Sequence, residues 1–247
     1  MGEPPSSGID RPALPPGSDL RPVEVFVELG GAGALAARRR GGVVVVIDAL
    51  RASATVVTAL ASGMRAVKIV ATPGECVGEV TAGERGGRKL AQVDHGNSPT
   101  ELLRQRYAGK QLTLTTTNGA EVLLTATAPT TEVLVGTTLN AAAVAAAATR
   151  LAEARGCPVT LLKAGRNNRD AIEDALAAGE ILRAMRGVRL HGAAPPTSSV
   201  LESEFVSGES GLNLAALGYS KDVHFCAQVD LYDVVPHLED GLLVPLP

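Results

Sequence analysis

Aromatic residues are scarce in this chain: three Phe, three Tyr and no Trp make up 2% of its 247 residues. Stacking platforms for bases or sugars are correspondingly few. A long basic run is also missing, and 23 Lys and Arg against 26 Asp and Glu leave a net charge of −3. A general nucleic-acid binder would carry a clustered basic footprint, so nucleic acid is not an expected partner. The one short basic cluster, Arg38-Arg39-Arg40, reads as a solvated helix end, where cations suit the helix dipole. Cys76, Cys157 and Cys226 are too few and too scattered for a disulfide framework, and none begins a C-x-x-C motif. No apolar run approaches the ~20 residues of a membrane span, and no signal-type core follows the N-terminus. These absences lead us to expect a soluble cytoplasmic protein without a membrane partner, with a homo-oligomer left open.

Ala, Val and Leu carry most of the 45% hydrophobic content. Residues 1–22 hold Pro4, Pro5, Pro12, Pro15, Pro16 and Pro22 with little to bury, which predicts a disordered tail. Residues 23–247 read as one α/β domain, with the less regular 188–247 as a candidate smaller subdomain. Apolar, β-branched runs at 23–27, 43–48, 66–70, 111–115, 132–136 and 158–163 predict strands covered on both faces. Between them lie helix signals. Ser53 opens 54–62, Ser98-Pro99-Thr100-Glu101 is a capping-box pattern whose helix would close at Gly109, and Asn118-Gly119 opens another. Asn140 caps the Ala-rich 141–155, Asp170 precedes 171–186, and a short helix is expected near 209–217. Strand–helix alternation implies right-handed crossovers, hence a mainly parallel sheet with helices on both faces in three α/β/α layers.

In such sheets ligands bind beyond the carboxyl ends of the strands. Polar residues gather there: Asp48, Arg51 and Ser53 after 43–48; Thr116-Thr117-Asn118-Gly119 after 111–115; Gly165-Arg166-Asn167-Asn168, then Asp170, Glu173 and Asp174, after 158–163. Asp48 follows five β-branched residues, and a carboxylate there needs a cation, a salt bridge to Arg51 or a helix cap. A hard divalent ion suits it, because magnesium takes one or two carboxylates and completes its shell with water and phosphate. The 116–119 junction offers backbone N–H groups and a helix N-terminus to an anion, and Arg51 and Arg85 offer guanidinium forks. The stretch from Gly83 to Pro99 reads as a long functional connection in which Glu84 is a metal ligand or base. Asp174 is the candidate proton carrier.

Other phosphatase schemes fail on spacing. Six positions after the cysteines stand Ala82, Lys163 and Tyr232, where a cysteine phosphatase needs Arg. Leu50 stands two residues after Asp48, where aspartyl-phosphate enzymes carry a second Asp. Four histidines show no H-x-H or H-E-x-x-H spacing, which argues against a histidine-rich zinc site. Cys226 follows an apolar stretch and reads as a core thiol.

Taken in order, Asp48 to Ser53, Gly83 to Gly87, Asp94 to Pro99, Thr115 to Gly119, Ala164-Gly165 with Glu173-Asp174, Leu217-Gly218 and Asp222 with Phe225-Cys226 resemble the 2-phosphosulfolactate phosphatases. The series runs through about residues 43–236. The resemblance implies a family-specific α/β fold and magnesium-dependent hydrolysis of (2R)-2-phospho-3-sulfolactate, a step of coenzyme M biosynthesis. The site then expected comprises Asp48, Glu84 and Asp174 as catalytic and metal-holding residues. Arg51, Ser53, Arg85, Asn97, Thr117, Asn118 and Gly119 would bind substrate. Val93, Ala120 and Glu121 depart from the family pattern, and the last two keep a non-catalytic anion-binding or sensor module as an alternative. Another small-acid hydrolase on the same fold is the second alternative.

Overall fold

The computed structural model describes residues 21–166 and 169–247. The expected Pro-rich tail lies outside the described residues except for its last two positions, and Asn167 and Asn168 lie outside them too. The chain runs β1 (Val23–Leu29), α1 (Gly30–Arg40), β2 (Gly42–Ile47), α2 (Ala52–Ala61), β3 (Ala66–Ile69), β4 (Val80–Arg85), β5 (Arg88–Lys89), α3 (Pro99–Leu102) and β6 (Gln111–Thr115). It continues through α4 (Gly119–Ala126), β7 (Thr131–Gly136), α5 (Ala141–Arg155), β8 (Val159–Lys163), α6 (Ile172–Ala184) and β9 (Val188–His191). Three short helices, α7 (Leu201–Ser207), α8 (Glu209–Ala216) and α9 (Ser220–Cys226), precede β10 (Pro236–Glu239) and β11 (Leu242–Pro245). No helix among the described residues is long and apolar enough to cross a membrane.

The strands join in the order β5-β4-β6-β3-β11-β10-β7-β2-β8-β1-β9. Two parallel blocks, β4-β6-β3 and β7-β2-β8-β1-β9, are joined through the antiparallel β10–β11 hairpin. The predicted α/β architecture with a mainly parallel sheet is therefore present. The blocks run in opposite senses across the hairpin, yet residues following β2, β6 and β8 line one cleft. Right-handed twist, roughly 20–25° per strand in sheets generally, accumulates over the strands between β2 and β6 and is the physical means by which ends of opposite sense can face one cleft.

Val43 to Ile47 are almost fully buried on both sides, as five consecutive β-branched residues require. One apolar cluster joins β1, β2 and β8 to α5, α6 and the α7–α9 segment. A second joins the other sheet face to α1, α2 and α4. The Ala-rich α5 ends at Gly156 in the left-handed conformation (φ 59°), the stop its sequence predicts.

Two expectations are corrected, and two elements were not foreseen. The Gly83–Pro99 stretch is not a connection throughout: Glu84 and Arg85 end β4, and Gly86-Gly87, both at positive φ, turn the chain into β5. The helix opened by Ser98 spans only Pro99–Leu102, because after Leu102 the exposed Arg104-Gln105-Arg106 run offers nothing to bury. The Gly-rich start of α1 gave no helix signal, and its small residues are buried where the helix crosses the sheet. The hairpin of β10 and β11, turning on Asp240-Gly241 at φ 48° and 79°, was also unforeseen, although Asp-Gly is a strong hairpin signal.

Candidate active site

A cleft of ≈ 140 Å³ opens beyond the carboxyl ends of β2, β6 and β8, walled on one side by α8. Four carboxylates line it: Asp48 after β2, Glu84 at the end of β4, and Glu173 and Asp174 in the first turn of α6. All four are buried, with 3–9% of their surfaces exposed. Like charges held this close in low dielectric oppose ionisation. Desolvation, with Glu84 and Glu173 nearby, raises the Asp48 carboxyl to about 6. Desolvation, then Asp48 and Glu173, push Asp174 well above its usual range.

The four differ in how far their oxygens are spent. Asp174 accepts from the Ala49 N–H at 2.7 Å and the Gly165 N–H at 2.8 Å, so it clasps the loops after β2 and β8 together. Glu84 accepts from the Thr117 N–H (2.7 Å) and hydroxyl (2.9 Å) with Oε1, and from the Gly87 N–H (2.7 Å) with Oε2. Asp48 accepts from the Ala52 N–H at 3.2 Å through Oδ1, while its own N–H donates to the Ser53 hydroxyl at 2.9 Å. Its Oδ2 lies against the start of α4, where a Cβ on Gly119 would stand 2.6 Å away; only glycine permits that approach. Glu173 has no hydrogen-bond partner among the described residues. It is the one carboxylate of the four with both oxygens free there.

The predicted binding residues divide. Asn97, Thr117 and Asn118 line the cleft, and the buried Asn97 Oδ1 has no partner among the described residues. Gly119 touches Asp48. Ser53 is 2% exposed and braces the Asp48 turn from behind, also donating to the Val46 carbonyl. Arg85 turns away: its guanidinium donates to the Glu84 and Ala71 carbonyls and to Thr115 Oγ1, outside the cleft. Arg51 reaches the cleft, but Nη1 pairs with Asp222 at 2.8 Å, Nη2 donates to the Gly87 carbonyl, and Tyr219 stacks on it at 4.2 Å. Asp222, fully buried, also accepts from Ser98 and from the Thr100 N–H and hydroxyl. That pair joins α9 to the residues that carry Asn97 and Arg51.

Ala120 is buried and Glu121 is exposed on α4, and neither lines the cleft. Their departure from the family pattern therefore does not touch its chemistry directly. Asp170 pairs with Lys163 at 2.5 Å instead of joining Asp174. Four cleft residues were given no role by sequence reasoning: Glu173 and Arg166, which it named after 158–163, and Ser210 and Asn213, which it did not name. The first two had a signal, since they follow β8, whereas α8 follows no strand and carried none.

A family model described as 2-phosphosulpholactate phosphatase matches residues 34–241. A protein of Thermotoga petrophila named "Probable 2-phosphosulfolactate phosphatase" is 34% identical over 212 residues, 81% of this chain and 90% of that protein. Two archaeal proteins named "2-phosphosulfolactate phosphatase" are similar as well. That of Methanocaldococcus jannaschii is 35% identical over 205 residues (79% of this chain, 88% of that protein). That of Methanothermobacter thermautotrophicus is 36% identical over 210 residues (81% and 88%).

Proposed function

Because the chain belongs to the 2-phosphosulfolactate phosphatase family, we propose that it hydrolyses (2R)-2-phospho-3-sulfolactate to 3-sulfolactate and phosphate, with magnesium. The observation that carries the reading is the meeting of four buried carboxylates with the N-terminus of α4 in one cleft. A cluster so crowded with negative charge would repel a phosphoester unless a cation neutralised it.

The donor set suits magnesium. Every side-chain donor of the acid cluster is a hard oxygen. Magnesium needs only one or two carboxylates alongside water and phosphate. Asp48 and Glu173 would hold it, since their oxygens carry fewer hydrogen bonds among the described residues than those of Glu84 and Asp174. Bound there, the ion supplies charge neutralisation for the phosphoryl group and a polarised water.

The chain's own groups do the rest. The Asn118 N–H, without a partner among the described residues, faces the phosphoryl oxygens at the start of α4. Asp174, raised well above its usual range first by burial and then by Asp48 and Glu173, is the proton carrier for the departing alkoxide. Arg51, fixed by Asp222, keeps the Leu50–Arg51 turn and the Gly87 carbonyl in place around the phosphate. Phosphate release from 2-phospho-3-sulfolactate, measured with magnesium and again with EDTA, tests the reading. Turnover that EDTA abolishes supports it; tight binding of the substrate without turnover would sink it in favour of an anion-binding module.

A further inference from the structure

Two of the three arginines near the cleft have spent their guanidinium groups, Arg51 on Asp222 and Arg85 on Thr115 and two carbonyls. Arg166 has not. Its side chain is 31% exposed, and its ion-pair partner among the described residues is Glu209, reached from Nε at 3.7 Å. That contact is too long for a hydrogen bond, and Glu209 is itself 71% exposed, so solvent screens it. Nη1 and Nη2 have no partner among the described residues. The backbone that carries them is fixed. The Arg166 N–H donates to the Arg169 carbonyl at 2.9 Å, and the Arg166 carbonyl accepts from the Arg169 N–H at 3.0 Å. Just before it, Asp174 grips the Gly165 N–H.

Ser210 and Asn213, three apart on α8, line the same wall of the cleft. Neither side chain has a hydrogen-bond partner among the described residues. A guanidinium, a hydroxyl and an amide thus stand together, unspent, at the margin of an acid-lined cleft. The proposed substrate carries two acid groups besides its phosphate, and the carboxylates would repel both. At least one of those groups needs a cationic seat, and a fork of N–H donors fits the oxygens of either.

We propose that Arg166, Ser210 and Asn213 form the subsite for a non-transferred acid group of the substrate, sulfonate or carboxylate. The assignment rests on the phosphatase reading for the identity of the ligand, not for the chemistry of the seat. Calorimetric titration of the full-length protein with 3-sulfolactate, with lactate (carboxylate only) and with isethionate (sulfonate only) tests it. Arg166→Met should weaken 3-sulfolactate binding about 10- to 100-fold, the scale for hydrogen bonds to charged groups. Arg166→Lys should recover part of that loss, and the melting temperature of both variants should match the parent. The single-acid ligand that loses affinity with Arg166→Met identifies the seated group. Wild-type-like binding by Arg166→Met, or no measurable 3-sulfolactate binding by the parent protein, overturns the subsite. Phosphate release measured in parallel keeps the two readings apart. Arg166-dependent binding without turnover leaves the subsite standing and removes the phosphatase, while turnover with Arg166-independent binding does the reverse.

Discussion

Moving the metal-free protein from about pH 4.5 to about pH 7.5 should weaken it, opposite to the usual behaviour of proteins emerging from acid. Asp48 titrates near 6 in the fold against an ordinary value of 3.8, mainly because burial disfavours its charge. Between those values the folded chain keeps a proton that the unfolded chain has released. Stability changes with pH in proportion to protons bound unfolded minus folded, which is negative here. The stabilisation is therefore full below about 3.8 and lost as pH rises through about 6. At about 1.4 kcal/mol per tenfold, the whole gap is worth about 3 kcal/mol, of which about 2 kcal/mol is lost between about pH 4.5 and about pH 7.5, and Asp174 acts in the same direction. Asp94, held below its ordinary value chiefly by the Thr81 hydroxyl, acts oppositely but only at lower pH. Urea unfolding in EDTA across this range, for the parent and for Asp48→Asn, reads the effect. The slope with pH is the measure, since the Asn amide also disturbs the contact with Gly119. Asp48→Asn should flatten the slope, and saturating magnesium should flatten it in the parent. Identical slopes in the two metal-free proteins would refute the reasoning.

Glu173→Gln should lower turnover at least about 100-fold, since charged ligands act strongly in a buried site. Its melting temperature should hold or rise, because it removes like charge without breaking any hydrogen bond among the described residues; a folded variant with parent-like kcat would exclude Glu173 from the machinery. Asp222→Asn leaves the Arg51 charge buried with a weaker partner and should cost roughly 3–5 kcal/mol, a fall of roughly 6–20 °C in Tm at this chain length; a fall under about two degrees would show the pair is not structural. Cys226 is fully buried, and its thiol is pushed well above the usual value, first by desolvation. Cys226→Ser should keep turnover within about threefold; complete loss in a folded protein would revive a covalent route.

The β-branched run Val43 to Ile47, the Ala-rich helix ending at Gly156 and the polar residues following β2, β6 and β8 were legible because local preferences and tertiary context agree there. The glycines of α1 and the Val80–Arg85 strand were not, since a small residue signals a break unless something packs against it. The same limit applied to the site. Asp48, Thr117 and Asn118 could be placed at strand ends by reading along the chain, but whether a charged group is free to act depends on what faces it. Arg51 meets an aspartate 171 positions away, Arg85 folds back onto its own strand, and Asp174 is engaged by two N–H groups. Glu173, one residue earlier, is not. The amino-acid order by itself determined the α/β alternation and which strand ends carry chemistry, because propensity and hydrophobic period act over a few residues. Only the tertiary structure decided which carboxylates and guanidiniums remain available, because pairing in a low-dielectric interior depends on distance in space.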